Sequence, residues 1–193
     1  MNTQHSSHQL ARLKSGVVYR RRDLLRYSKS IDRDLKVLVQ EKKLCKASTG
    51  IYYKPIKSRF GVLPPDDKKL VRAFLSDDKF LLFSRHAYNE LGLGLTQLYN
   101  QVIVYNHKRH GQFTLAGKVF DFRRPHKGFP KLLMKEFLLV DLVNHLDELS
   151  EDVEAVKTRI RKQLPFFEKR RLKSLANQYG KLATTRFFLE QGL

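Results

Sequence analysis

Tryptophan is absent, methionine occurs twice, and cysteine only once. A lone thiol, Cys45, cannot close an internal disulfide, so no cystine framework holds this fold. It follows Leu44 in a β-prone run and reads as a small packing residue rather than a nucleophile. No run of about 18 apolar residues occurs, which excludes a membrane-spanning helix. The opening residues, MNTQHSSHQLARLKSG, lack the apolar centre of a secretion signal, so a cytoplasmic location with no membrane partner is expected. Acidic residues are scarce: 19 Asp+Glu stand against 38 Lys+Arg, for a net charge of +19. Such a deficit calls for a polyanionic partner, nucleic acid first.

What is present suffices for a core. Hydrophobic residues make up 41% of the 193, with 13 Phe and 8 Tyr, which excludes disorder throughout. The charge is uneven. Residues 1–60 hold 15 Lys+Arg and 4 Asp+Glu, whereas residues 61–193 hold 23 and 15. GVLPPDD, Gly61 to Asp67, follows the basic third and reads as a linker or a helix start. The expected division is therefore a first domain over 1–60 and a second over 61–193.

In the first domain, Leu10, Leu13 and Val17 predict a helix near 3–15, ended by Gly16. VVY predicts a short strand, and RRRDLLRYS a short helix with Leu24 and Leu25 inward. SIDRDLKVLVQEKKL then gives an amphipathic helix with Ser30 as N-cap. Stepping about 100° per residue from Ile31, Leu35, Leu38 and Val39 fall within about 80° of it. Lys29, Arg33, Lys36, Gln40 and Lys43 fall between about 120° and 200°, on the opposite face. After it, LCKAS and IYYKP flank Thr49-Gly50, a hairpin pattern.

Helix, strand, helix, basic helix, hairpin is the order of a winged helix-turn-helix, whose third helix enters the major groove of DNA. A helix about 10–12 Å across fits a groove about 12 Å wide. Arg33 and Gln40 can each make bidentate bonds to base edges. Lys29, Lys36 and Lys43 suit phosphates, as do Arg20, Arg21 and Arg22 ahead of the second helix. Lys46, Ser48, Thr49 and Lys54 belong to the wing.

Beyond residue 61, DDKKLVRAFLSDD predicts a short helix and KFLLFS a strand. RHAYNELGLG predicts a helix ending at Gly92 or Gly94, and QVIVYN, FTL and KVFDFRRP further strands, with Ala116-Gly117 as a turn. Together they predict a small antiparallel sheet. From Pro130 the pattern is helical: LLMKEFLLVDLVNHLDEL, then a stripe at Leu149, Val153, Val156, Ile160 and Leu164 stopped by Pro165, then two more helices. The fold class expected is α+β: a winged helix-turn-helix, a small antiparallel sheet and a C-terminal helical bundle.

Signals for catalysis are weak. His107 and His110 are three apart, but no Cys or acid stands near them, so a basic loop is the reading and no metal site is expected. His86 and Glu90 read as a helix-surface pair, and His145 as a partly buried polar residue on an apolar helix. Gly92 and Gly94 lack the context of a phosphate loop, and there is no nucleophile elbow. Asp121 in FDF reads as part of an alternating strand. No enzyme, no catalytic residue and no cofactor is expected.

FSRHAYNELGLGLTQLYNQVIVYN followed by GQFTLAGKVFDFRRP resembles the C-terminal domain of AbiEi-type antitoxins of bacterial type IV toxin–antitoxin systems. GIYYKP is similar to the wing end of that family's N-terminal winged helix. The likeness covers about residues 15–145 and rests on short motifs. LGLGLTQLYNQ departs from the family by lacking the proline often found before the next strand. The resemblance implies a transcriptional regulator that binds promoter repeats of its own operon as double-stranded DNA. It also implies a functional partner, a nucleotidyltransferase toxin. DNA contacts would then carry over to Arg33, Lys36, Gln40, Ser48 and Thr49. Inverted repeats would allow copies to assemble on DNA. The alternative, which fits the broadly basic second domain, is a non-enzymatic module that docks RNA or protein, with the helical tail as interface, and antagonises a partner.

Overall fold

Three short β-prone runs near the N-terminus pair into one sheet. The computed structural model describes residues 10, 13–59, 61–95 and 101–193. Strands β1 (Val18–Arg20), β2 (Cys45–Ser48) and β3 (Ile51–Tyr53) lie in the order β1-β3-β2, and both pairings are antiparallel. Between β1 and β2 run helix α1 (Arg21–Leu24), prolonged by a 3-10 turn at Leu25–Tyr27, and helix α2 (Ile31–Gln40). Leu24, Ile31, Leu35, Leu38 and Leu44 form a core with Leu10 and Leu13. Leu25, expected inward, is 48% exposed. The chain tightens from α to 3-10 geometry right after Leu24, and the change in turn carries the next side chain outward. Apart from Leu10 and residues 13–15, the helix expected over 3–15 lies outside the described residues.

The start of α2 is built differently from expectation. The Ser30 side chain makes no capping bond. Instead Ser28 Oγ accepts from Ser30 N–H at 3.0 Å and donates to the buried Asp34 carboxylate at 2.6 Å. A serine two residues earlier, braced by an acid within the helix, orders the turn into α2. At the other end Lys42 takes a positive φ of 55°, so the helix stops at Gln40 and Lys43 lies beyond it.

A second hairpin pairs β4 (Ile56–Ser58) with β5 (Gly61–Leu63), so β5 takes up the first residues of GVLPPDD, and the helix start expected there as the other reading stands at Asp66–Asp67. Helix α3 (Asp67–Leu75) follows, capped by Asp66, whose carboxylate accepts from Lys68 and Lys69 N–H. Its Leu70 and Val71 are buried, and Lys69 Nζ donates to the Gly16 carbonyl. These contacts tie α3 to the N-terminal elements, so the first compact unit runs through Asp78 rather than ending at 60. It also takes in Gln112–Phe120: Phe113 packs on Phe74 at 5.0 Å, and Ala116 N–H donates to Ala47 O.

The second unit holds Lys79–Gly111 and Asp121–Leu193. Its strands β6 (Phe80–Ser84) and β7 (Val102–Asn106) pair antiparallel. The sheet order is β6-β7-β9-β8, in which β8 (Gly111–Leu115) from Gln112 on and the first half of β9 (Lys118–Arg123) count with the first unit. The segment after β6 is a 3-10 helix, Arg85–Leu91, ended by Gly92 at φ 68°, a left-handed conformation that costs glycine little. Helices α4 (Lys135–Asn144), α5 (Val153–Gln163), α6 (Lys169–Tyr179) and α7 (Leu182–Glu190) complete it. Helix α4 is buried from Glu136 to Val143, nearly all round, as expected of a core helix. It begins only at Lys135: Leu132 and Leu133, expected within it, precede it and are exposed. The fold is mixed α/β with several small sheets, and among the described residues no helix is long and apolar enough to cross a membrane.

Candidate functional site

Helix α2 divides its residues by face. Ile31, Leu35 and Leu38 are at most 3% exposed, while Arg33, Lys36 and Gln40 are exposed. None of these three makes a hydrogen bond or ion pair within the described residues, so three long side chains stand together with their donors free. Lys29 and Lys43, expected on the same stripe, are exposed but lie outside the helix, before and after it. Lys43 is engaged by Glu41 at 2.8 Å.

Of the three arginines expected ahead of the second helix, Arg20 ends β1 while Arg21 and Arg22 open that helix, α1, and all three are partnered. Arg20 bonds Asp23 at 2.8 and 3.2 Å, and Arg22 lies 3.8 Å from the same carboxylate. Arg21 makes a bidentate pair with Asp32 on α2, both bonds 2.6 Å. The Asp32 hydrogen bond raises the Arg21 guanidinium above its ordinary value, and the same bond holds Asp32 below the usual carboxylate range. Arg21 and Asp32 therefore lock the start of α1 to the first turn of α2, while their exposure keeps the pair's energy small.

The hairpin tip is tethered rather than protruding. Gly50, at φ 70°, accepts from Arg21 N–H through its carbonyl at 2.8 Å. Thr49 is exposed, Ser48 half-buried, and Lys46 exposed with no partner among the described residues. Lys54 is half-buried where its backbone pairs with Gly16 and Val17. The β4–β5 hairpin adds exposed Lys57 and Arg59, which lie outside the DNA contacts expected from the sequence.

The second unit holds a cleft of about 600 Å³ beside α4. Asp141 lies on its floor and accepts from Tyr88 at 2.6 Å and Tyr105 at 2.5 Å. Its backbone carbonyl meets His145 Nδ1 at 2.8 Å. Arg123 donates to Asp121 at 2.7 Å and to both oxygens of Glu148 at 3.1 and 2.7 Å, and Glu148 also receives Arg85. Asp121, Asp141, Glu148 and His145 thus meet in one network that spacing along the chain does not reveal. Asp121 is more than a strand residue: it orients Arg123. The histidine pair of the 107–110 loop forms no metal cluster among the described residues, and His107 stacks on Phe129 instead.

This network sets a pH window. Burial pushes the Glu148 carboxyl up, but the bonds and charge of Arg123, with His145 and Arg85, outweigh it and hold it below its ordinary 4.5. Burial, then Asp141, raise both Tyr88 and Tyr105 above their ordinary 10.0. A depressed acid contributes stability above its unfolded value and loses it as pH falls through the folded one. A raised tyrosine contributes below its unfolded value and loses it as pH rises. Chemical denaturation of the chain is expected to show a plateau between about pH 5 and 9, with loss below about 4.5 and above about 10. A Glu148→Gln variant should have a shallower acid limb.

No family model matches the chain, and no curated protein does. One solved structure, the crystal structure of the RV2827C protein from Mycobacterium tuberculosis, is similar in fold, with a TM-score of 0.54 at 18% identity. The match covers 98% of this chain and 76% of that one.

Proposed function

We propose that the N-terminal elements are a winged helix-turn-helix binding double-stranded DNA, and that the chain is a transcriptional regulator of antitoxin type. The observation that carries this reading is α2: Arg33, Lys36 and Gln40 share its exposed face, unpartnered, while Ile31, Leu35 and Leu38 seat the opposite face in the core. The element order β1, α1, α2, β2, β3 and the sheet order β1-β3-β2 support it. Arg33 and Gln40 read base edges; Lys36, Lys29 and Lys46 meet phosphates. Arg20, Arg21 and Arg22 contribute field more than direct contacts, because acids hold them. The resemblance to AbiEi-type antitoxins supplies the operator class, inverted repeats in the chain's own promoter, and the functional partner, a nucleotidyltransferase toxin.

A mobility-shift assay with the promoter upstream of its own gene tests this. The promoter fragment is expected to bind in preference to random duplex. With the three phosphate contacts of Lys29, Lys36 and Lys46, affinity should fall roughly 40-fold between 50 and 200 mM salt. Equal affinity for promoter and random duplex would overturn the reading.

A further inference from the structure

We propose that the cleft of the second unit binds a nucleoside 5′-diphosphate or a ligand of that class, with phosphates on its cationic rim and the planar base on its aromatic wall. All three carboxylates of the cleft are occupied internally: Asp121 and Glu148 by Arg123, Asp141 by two tyrosine hydroxyls. That leaves Arg124, Lys127 and Lys181 with no carboxylate partner among the described residues. Lys127 donates to the Gly180 carbonyl and Lys181 to the Asn144 carbonyl, each at 2.6 Å. Each ammonium thus keeps two further N–H donors, and its position is fixed in advance.

Arg124 makes no hydrogen bond or ion pair within the described residues, and neither do His110 and His126, which also line the cleft. The lining carries four cationic side chains, Arg123, Arg124, Lys127 and Lys181, against three carboxylates. The three cations without a carboxylate partner, with two histidines, suit a multiply charged anion better than a monocarboxylate, and guanidinium is suited to bidentate phosphate contact. Tyr179, partly exposed, supplies the aromatic wall; Phe137, which meets it edge to face at 5.5 Å, is itself 3% exposed and holds it in place. A cleft of about 600 Å³ lies within the size range of small-molecule sites. The Asn144 amide oxygen accepts from Lys181 N–H and Thr184 Oγ1, and its NH₂ group donates to Tyr179 O, which leaves one Asn144 N–H and the His110 and His126 rings as groups able to meet a base edge.

Isothermal titration of the full chain with each of the four ribonucleoside 5′-diphosphates, the nucleosides and inorganic pyrophosphate tests the proposal. One diphosphate per chain is expected to bind, and the nucleosides and pyrophosphate each at least tenfold more weakly. Arg124→Ala should weaken diphosphate binding tenfold or more. Lys173→Ala, which removes an exposed charge outside the cleft, should change it less than twofold. Circular dichroism checks that both variants fold. No binding of any diphosphate, equal binding of pyrophosphate or nucleoside, or equal effects of the two substitutions would overturn it.

Discussion

Replacing Arg33, Lys36 and Gln40 together by alanine is expected to lower affinity for the promoter by about 100-fold or more and to erase its preference over random duplex. Each bidentate base contact contributes about 1–3 kcal/mol of discrimination, so the loss of two accounts for that factor. The helix itself should survive. Alanine is the strongest helix former, the three side chains have no partner within the described residues, and the buried face of Ile31, Leu35 and Leu38 is untouched. Far-ultraviolet circular dichroism and urea midpoints should therefore match the parent chain. Lys36→Ala alone is expected to weaken all sequences evenly and to reduce the salt slope by about one. Unchanged promoter preference in the triple variant would remove α2 as the reading element.

Asp141→Ala is expected to destabilise the second unit by about 3–5 kcal/mol. Tyr88 and Tyr105 are at most 3% exposed, and both direct their hydroxyls at this carboxylate. Removing it strands two buried donors, each costing about 1–3 kcal/mol, and leaves a void beneath the cleft. Against a typical domain stability of about 5–15 kcal/mol, a large share would be lost. Asp141→Asn should fall between, because its amide oxygen still accepts while its NH₂ group meets another donor. Urea unfolding of the full chain measures both, and a loss below about 1 kcal/mol for Asp141→Ala would show that the hydroxyls find other acceptors.

The amphipathic face of α2 was legible in the sequence because it depends only on the helical repeat and on which residues are apolar. The strands from Phe80 to Arg123 were legible for a similarly local reason, short apolar and β-prone runs broken by Gly and turn residues. The ends of elements were not. Lys29 and Lys43 fell off the helix because Ser28 with Asp34 and the left-handed Lys42, rather than Ser30 and the last apolar residue, set its limits. Arg21 and Asp32 are eleven positions apart, and their pairing depends on how α1 meets α2. The β4–β5 hairpin escaped because two three-residue strands carry too few residues for periodicity to show.

By itself the sequence determined the positive charge, the absence of disulfides, most of the helices and strands, and the split faces of α2, since each follows from composition or short-range geometry. Tertiary structure alone decided which cations remain free. It joined Asp121, Asp141, His145 and Glu148 around Arg123, and it brought Gln112–Phe120 into the first unit. The reason is physical: whether a charge is spent or available depends on what packs within a few ångströms of it, and those neighbours lie tens of residues away along the chain.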